Sequence, residues 1–192
     1  EGAQKLYADH KKSYLLGNQV HLTLSQEGLG GIAENLDSFE ANGTIYTVLT
    51  ARKGKVLAEM LEQKRLFPNL EKAAQCIRRL LNTLEMFLLH LDVSPDNIFM
   101  LEPAETGAFP TELLLLDFNS VYSMDDQNTY ICDYYPGKPG YMAPEAELSR
   151  IDELGPWTDL YSAAAVLYCL LNDGNAPEDL EITDTSELVS PY

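Results

Sequence analysis

The sequence predicts an α+β fold, mostly helical, with a small β-sheet toward its N-terminal side. Three observations carry that prediction. Apolar residues recur at helical spacing from Leu70 to Leu88, and a second apolar block runs from Tyr161 to Leu171. Between residues 32 and 50, two β-rich stretches flank Ala41-Asn42-Gly43, and the Asn-Gly pair accepts the positive φ of a tight hairpin turn. Leu113 to Leu116 is a four-leucine run between turn-rich flanks, as a short buried strand would be.

Taken in order, residues 1 to 30 are weakly patterned, and Gly17 weakens the local signal for a helix there. Gly28-Leu29-Gly30-Gly31 reads as a turn. Ile32 to Phe39 and Thr44 to Leu49 form the hairpin, and Val56 to Arg65 a short amphipathic helix. Pro68-Asn69 then starts the long helix through Leu70, Ala73, Ala74, Ile77, Leu80, Leu81, Leu84 and Leu88, packed along one face. Tyr161 to Leu171 is apolar almost all round, which predicts a helix through the centre of a core, stopped at Asn172-Asp173-Gly174. The acidic end around Glu178, Asp179, Glu181, Asp184 and Glu187 reads as a loop or fraying terminus.

With 192 residues the chain has one domain or one and a half, enough to bury a core. Thirty acids against 13 bases give a net charge of −17, which opposes nucleic acid and anionic lipid as partners. No apolar run approaches the roughly 20 residues of a membrane span. Cys76, Cys132 and Cys169 have neither disulfide nor metal-ligand spacing; Cys76 and Cys169 read as core residues, and a reducing, cytoplasmic compartment fits. His10 and His21 have no partner pattern and read as surface or packing residues.

The chemistry lies between the helices. His90-Leu91-Asp92-Val93-Ser94-Pro95-Asp96-Asn97 follows the long helix, and the leucine run ends in Asp117-Phe118-Asn119. Gly140-Tyr141-Met142-Ala143-Pro144-Glu145 comes next, then Trp157-Thr158-Asp159 ahead of the central helix. Singly, Asp92, Asn97 and Asp117 are ordinary turn formers. In this order the segments resemble the catalytic loop, the D-F-G motif and the A-P-E motif of the protein kinase family, in the bacterial Ser/Thr style.

That resemblance implies a protein-kinase-like fold: a partial small lobe over residues 1–50, made of a regulatory-helix-like segment around Tyr14-Leu15-Leu16-Gly17-Asn18 and the hairpin, and a large helical lobe over 51–192, incomplete at its C-terminal side. It implies ATP and Mg²⁺ as cofactors and a protein as substrate or partner, with oligomeric state left open. Asp92 would accept the proton of the substrate hydroxyl, while Asn97 and Asp117 would hold Mg²⁺. Leu49 would sit at the gatekeeper position, with Thr50, Ala51 and Arg52 presenting backbone groups to adenine. Asp159, Glu145 and Phe118 would give structural support, Asp159 by bracing the catalytic loop through backbone N–H groups. His90 would be a packing residue. Ser120, Ser123 and Thr129 lie where kinases can be phosphorylated.

Several features depart from the family. No Gly-rich loop and no phosphate-pairing strand lysine are found. Gly17 falls where that lysine's glutamate partner is expected. Leu91 replaces the arginine of H-R-D, Ser94 the lysine common two residues after the base, and Asn119 the glycine of D-F-G, where Asn would tolerate left-handed φ. The expected function is therefore a protein Ser/Thr kinase. A pseudokinase acting as a binding or scaffold module is the main alternative, and a small-molecule phosphotransferase a more remote one.

Overall fold

The computed structural model describes residues 2–64, 69–85, 89–105, 107–121 and 137–177. The chain opens with helix α1 (Gly2–Gln26), followed by the hairpin β1 (Asn35–Ala41) and β2 (Thr44–Leu49). Then come β3 (Gly54–Val56), α2 (Leu57–Glu62) and α3 (Leu70–Leu84). After a 3-10 turn at Pro95–Asn97 follow β4 (Ile98–Leu101), β5 (Leu113–Leu115), α4 (Pro144–Glu147) and α5 (Pro156–Leu171). The α+β class is as the sequence predicts.

Residues 2–26 hold the helical segment that the resemblance implies, despite their weak local pattern. They form a 25-residue helix that runs through Gly17. Its apolar periodicity is weak because its contacts are largely polar and close-range rather than a greasy stripe. Tyr7 Oη donates to Gly43 O at 2.7 Å, and Lys11 pairs with Glu40 at 2.6 Å, fastening α1 to the hairpin. The helix ends in a Schellman arrangement: Leu29 N donates to Leu24 O and Gly28 N to Ser25 O, with Gly28 at φ +72°.

The hairpin turns at Asn42 (φ 53°) and Gly43 (φ 72°), so that Ala41 faces Thr44. Positive φ at both central positions makes this the turn whose twist matches the strands. Pairing begins at Asn35 rather than at Ile32, which instead makes a lone parallel bridge to Leu115.

A second, three-stranded antiparallel sheet has the order β3-β4-β5. Its central strand, Ile98–Leu101, carried no turn-bounded signal of its own, because it follows the catalytic-loop residues without a break. Ile98 and Met100 point to one face and are buried at or below 1% exposure. Against them packs α3, which presents Ala73, Cys76, Ile77 and Leu80 at helical spacing. Asn69 caps α3, its Oδ1 accepting from Lys72 N at 3.0 Å. Arg65, Pro68, Leu88, Cys132 and the acidic stretch from Glu178 onward lie outside the described residues.

Helix α5 packs on α3 through Ala163, Val166, Cys169 and Leu170, and Cys76 and Cys169 are both buried and unpaired. It is not surrounded, however. Trp157, Leu160, Tyr168 and Leu171 are each close to half exposed, so one face of this apolar helix is uncovered by the described residues. No helix among the described residues is long and apolar enough to cross a membrane.

Candidate active site

Helix α5 and the loop after α3 build the site's frame. Asp159 lies in the first turn of α5 and is buried at 4% exposure. Its Oδ2 accepts from His90 N at 2.7 Å and its Oδ1 from Leu91 N at 2.9 Å. One carboxylate thus holds two successive backbone N–H groups of the 90–97 loop. Burial pushes its pKa up to about 6, and the two N–H donors oppose that rise.

Leu91 is held in the left-handed region at φ 61°, an unfavourable conformation for a γ-branched residue. Its side chain is buried with Leu89, Ala146 and Leu154, with Met142 packed alongside. Glu145 joins the same frame: Thr158 Oγ1 donates to its carboxylate at 2.7 Å, and Gly155 N donates to Thr158 Oγ1.

His90 is buried, and desolvation lowers its pKa to about 4, so its ring is neutral. Asp92 N donates to Nδ1 at 3.3 Å, which leaves the proton on Nε2 for Leu116 O at 3.1 Å. The ring therefore links the 90–97 loop to the end of β5. Phe118 completes the link, with His90 edge-on at 5.3 Å and His21 stacked at 4.3 Å.

Asp92 and Asn97 face each other across the 3-10 turn. Asn97 Nδ2 donates to both the carbonyl and Oδ2 of Asp92 at 2.8 Å, which directs the amide oxygen elsewhere. Burial raises the Asp92 pKa to about 7; the Asn97 hydrogen bond works against this, and the negative charges of Asp117 and Asp96 add to it. Asp117 is exposed, at φ 57°, and its Oδ1 accepts from Asn119 N at 3.1 Å. The left-handed residue of this segment is thus Asp117, whereas Asn119 does not adopt positive φ.

Asp117 and Phe118, with Leu49 from β2, line a cleft of about 200 Å³ shared with Gly17, Asn18 and His21 of α1. Thr50 N donates to Glu34 O at 3.0 Å and its hydroxyl to the Glu34 carboxylate; Ala51 follows, exposed. Asn97 and Asp117 are oxygen donors of the kind hard cations take. Among the described residues no three His, Cys, Asp or Glu side chains gather as a metal cage.

The sequence reading placed Gly17 on this side of the site but not the contacts that α1 makes there. Ser13 Oγ donates to Asn119 O at 2.6 Å, Gly17 abuts Phe118, and His21 stacks on it, all at four-residue spacing along one helical face. Asn18, buried, hydrogen-bonds to Thr47 of β2, whose hydroxyl also meets Tyr14 Oη at 3.0 Å. The Ser13-Gly17-His21 spacing was the available signal, and it is polar where apolar periodicity was sought. Ser123 and Thr129 lie outside the described residues.

A helical body with small antiparallel sheets, in which a buried aspartate braces the 90–97 loop, is the fold of a protein kinase. The sequence profile of the protein kinase domain matches residues 8–187, and the chain belongs to that family. It is similar to the calcium/calmodulin-dependent protein kinase cmkB of Emericella nidulans, at 25% identity over 88% of this chain and 41% of that protein. Calcium-dependent protein kinase 7 of Oryza sativa is 27% identical over 71% of this chain and 24% of its own length. The chain thus spans less than half the length of these relatives. In structure it resembles the PknI kinase domain of Mycobacterium tuberculosis, with a TM-score of 0.64 and 18% identity over 92% of this chain and 62% of that domain.

Proposed function

We propose that this chain carries the catalytic centre of a protein Ser/Thr kinase, moving the γ-phosphate of ATP to a protein hydroxyl. The observation that supports this most directly is the arrangement around Asp92: its carboxylate is tethered by Asn97 and lies within the field of Asp117. A carboxylate whose pKa burial brings near neutrality suits a group that must accept a hydroxyl proton. Asn97 Oδ1 and the Asp117 carboxylate would hold Mg²⁺, which when bound neutralises charge on the nucleotide phosphates. Asp92 would orient the acceptor hydroxyl and take its proton, while His90 and Asp159 keep the loop carrying Asp92 in place. Leu49, the Thr50 carbonyl and Ala51 would border the adenine.

A pseudokinase is the second reading, favoured by Gly17. Its backbone lies directly on the Phe118 carbonyl, so α1 brings no side chain into the space where a glutamate would pair with a phosphate-binding lysine.

Thermal unfolding with ATP, with and without Mg²⁺, beside Asp117→Asn tests the nucleotide site. Ligand at about 100 times its Kd adds roughly 2.7 kcal/mol. The expected result is a Mg²⁺-dependent rise in Tm that Asp117→Asn abolishes; no rise in the full-length protein would overturn the reading. Transfer from ATP to peptides, and not to small alcohols, then separates the kinase from both a pseudokinase and a small-molecule phosphotransferase.

A further inference from the structure

The candidate site is acidic. The charges of Asp96 and Asp117 both act on Asp92, in a chain of net charge −17. A nucleotide triphosphate brings several more negative charges, and phosphoryl transfer depends on cations placed against them. Position 94, two residues past the base, is a serine, buried at 2% exposure and uncharged. Among the described residues, the cation whose charge reaches Asp92 is Lys138, from the stretch between Asp117 and Glu145 that corresponds to the activation segment of kinases.

Its position follows from the local sequence. The carbonyl of Lys138 accepts from Tyr141 N at 3.0 Å and from Met142 N at 3.2 Å. Pro139 and Gly140, the latter at φ 80°, occupy the central positions that favour a type II turn. Lys138 stands at the head of this turn, and its ammonium pairs with the carboxylate of Asp96, next to Asn97. Both partners are nearly half exposed, at 46% and 47%. An ion pair so open to water contributes little as a brace and exchanges readily for a stronger anion.

We propose that Lys138 is the catalytic cation of this site, resting on Asp96 and passing to the oxygens of the transferring phosphoryl group when ATP and acceptor are bound. This rests on the kinase reading above. The acceptor oxygen bonds to the γ-phosphorus as the bond from that phosphorus to the β,γ-bridging oxygen breaks. The electron pair of the broken bond leaves with ADP, the hydroxyl proton goes to Asp92, and Lys138 keeps its proton and its charge throughout. The chain thus carries on its activation segment the charge that position 94 lacks.

The test compares Lys138→Ser, Lys138→Arg, Asp96→Asn and the double variant Ser94→Lys/Lys138→Ser in the full-length protein. It measures transfer kinetics together with calorimetric affinities for ATP and ADP in Mg²⁺. Lys138→Ser is expected to lower kcat about 100-fold, as loss of one preorganised charge donor does, and to weaken ATP more than ADP. Lys138→Arg keeps most of the rate, Asp96→Asn loses far less than Lys138→Ser, and the double variant recovers activity. Equal losses in Asp96→Asn and Lys138→Ser would overturn the proposal, since Lys138 would then act only through its ion pair. An unchanged kcat in Lys138→Ser would overturn it too. If the wild type binds nucleotide without transferring it, an ATP-to-ADP affinity ratio untouched by Lys138→Ser overturns it on binding alone. A wild type that binds no nucleotide overturns the kinase reading itself.

Discussion

A methyl group built at Gly17 would lie 2.2 Å from the carbonyl oxygen of Phe118, and 2.7 and 2.8 Å from the Phe118 carbonyl carbon and the Asn119 Cα. These are backbone atoms, which cannot swing aside as a side-chain tip can. Glycine in mid-helix costs about 1 kcal/mol relative to alanine, so the seat of α1 on Asp117-Phe118-Asn119 outweighs the helix's own preference.

Gly17→Ala should therefore destabilise the protein. The gain in helix propensity is about 1 kcal/mol, whereas overpacking a fixed site costs about 1 to 3. A net loss of about 1 kcal/mol lowers Tm by roughly 2 to 4 °C in a chain of this size. A calorimetric scan that showed a higher Tm would mean that α1 does not rest on Phe118.

Asp159→Asn should cost about 2 to 3 kcal/mol in urea unfolding, in the range for a buried donor left without its acceptor. Both carboxylate oxygens are used, by His90 N and Leu91 N, and an amide offers an N–H where one of those donors needs an oxygen. The Leu91 N–H is also what holds that residue in left-handed backbone, so the loss should fall on the 90–97 loop first. Asp152→Asn, exposed, is the control and should stay within about 0.5 kcal/mol.

His90 gives the fold a dependence on pH. Its folded pKa, about 4, lies below the unfolded 6.5 because burial penalises the charged ring. Above pH 6.5 both states are neutral and nothing is lost. Below it the unfolded state takes up the proton and the native state does not, so stability falls progressively toward pH 4, by up to about 3 kcal/mol. Asp159 runs the other way: its raised pKa, about 6, adds stability as pH falls from 6 toward 3.8. Asp92, raised to about 7, acts in the same sense as Asp159, the lowered pKa of His21 adds to the His90 slope, and wild-type profiles mix all four. The difference between wild type and His90→Gln isolates one slope, and it should change by about 2 kcal/mol or more between pH 7 and pH 4.5. A constant difference would mean that His90 titrates normally in the folded protein.

What the sequence made legible was whatever repeats or turns sharply. The α3 stripe from Ala73 to Leu80, the Asn42-Gly43 hairpin and the leucine run each have one dominant local cause, and each is found where it was expected. Asp92, Asn97 and Asp117 were legible as an ordered set, and the structure brings them to neighbouring positions. Two features escaped local patterning, the first of them reached only through the family resemblance. Helix α1 is held by single contacts at Ser13, Gly17 and His21, none of which is a burial signal in sequence. Helix α5 was expected inside a core because its residues are apolar all round. Hydropathy registers what a residue could bury, while Trp157, Leu160 and Leu171 depend on a covering element that the described residues do not supply.

Leu91→Arg makes the last case, because it restores the family's usual residue to a site that no longer suits it. Leu91 is 5% exposed and packs with Leu89, Ala146 and Leu154, joining the catalytic loop to the segment that ends in Pro144-Glu145. An arginine there would bury a guanidinium among the apolar side chains of Leu89, Ala146 and Leu154. The buried charge and the lost leucine packing together should cost about 3 kcal/mol or more, visible as a Tm lower by several degrees. Leu91→Met, similar in volume, should cost less than about 1.5 kcal/mol. If Leu91→Arg instead unfolded like the wild type, the side chain at 91 would have to face solvent, and the apolar link between the catalytic loop and Ala146 would be wrong.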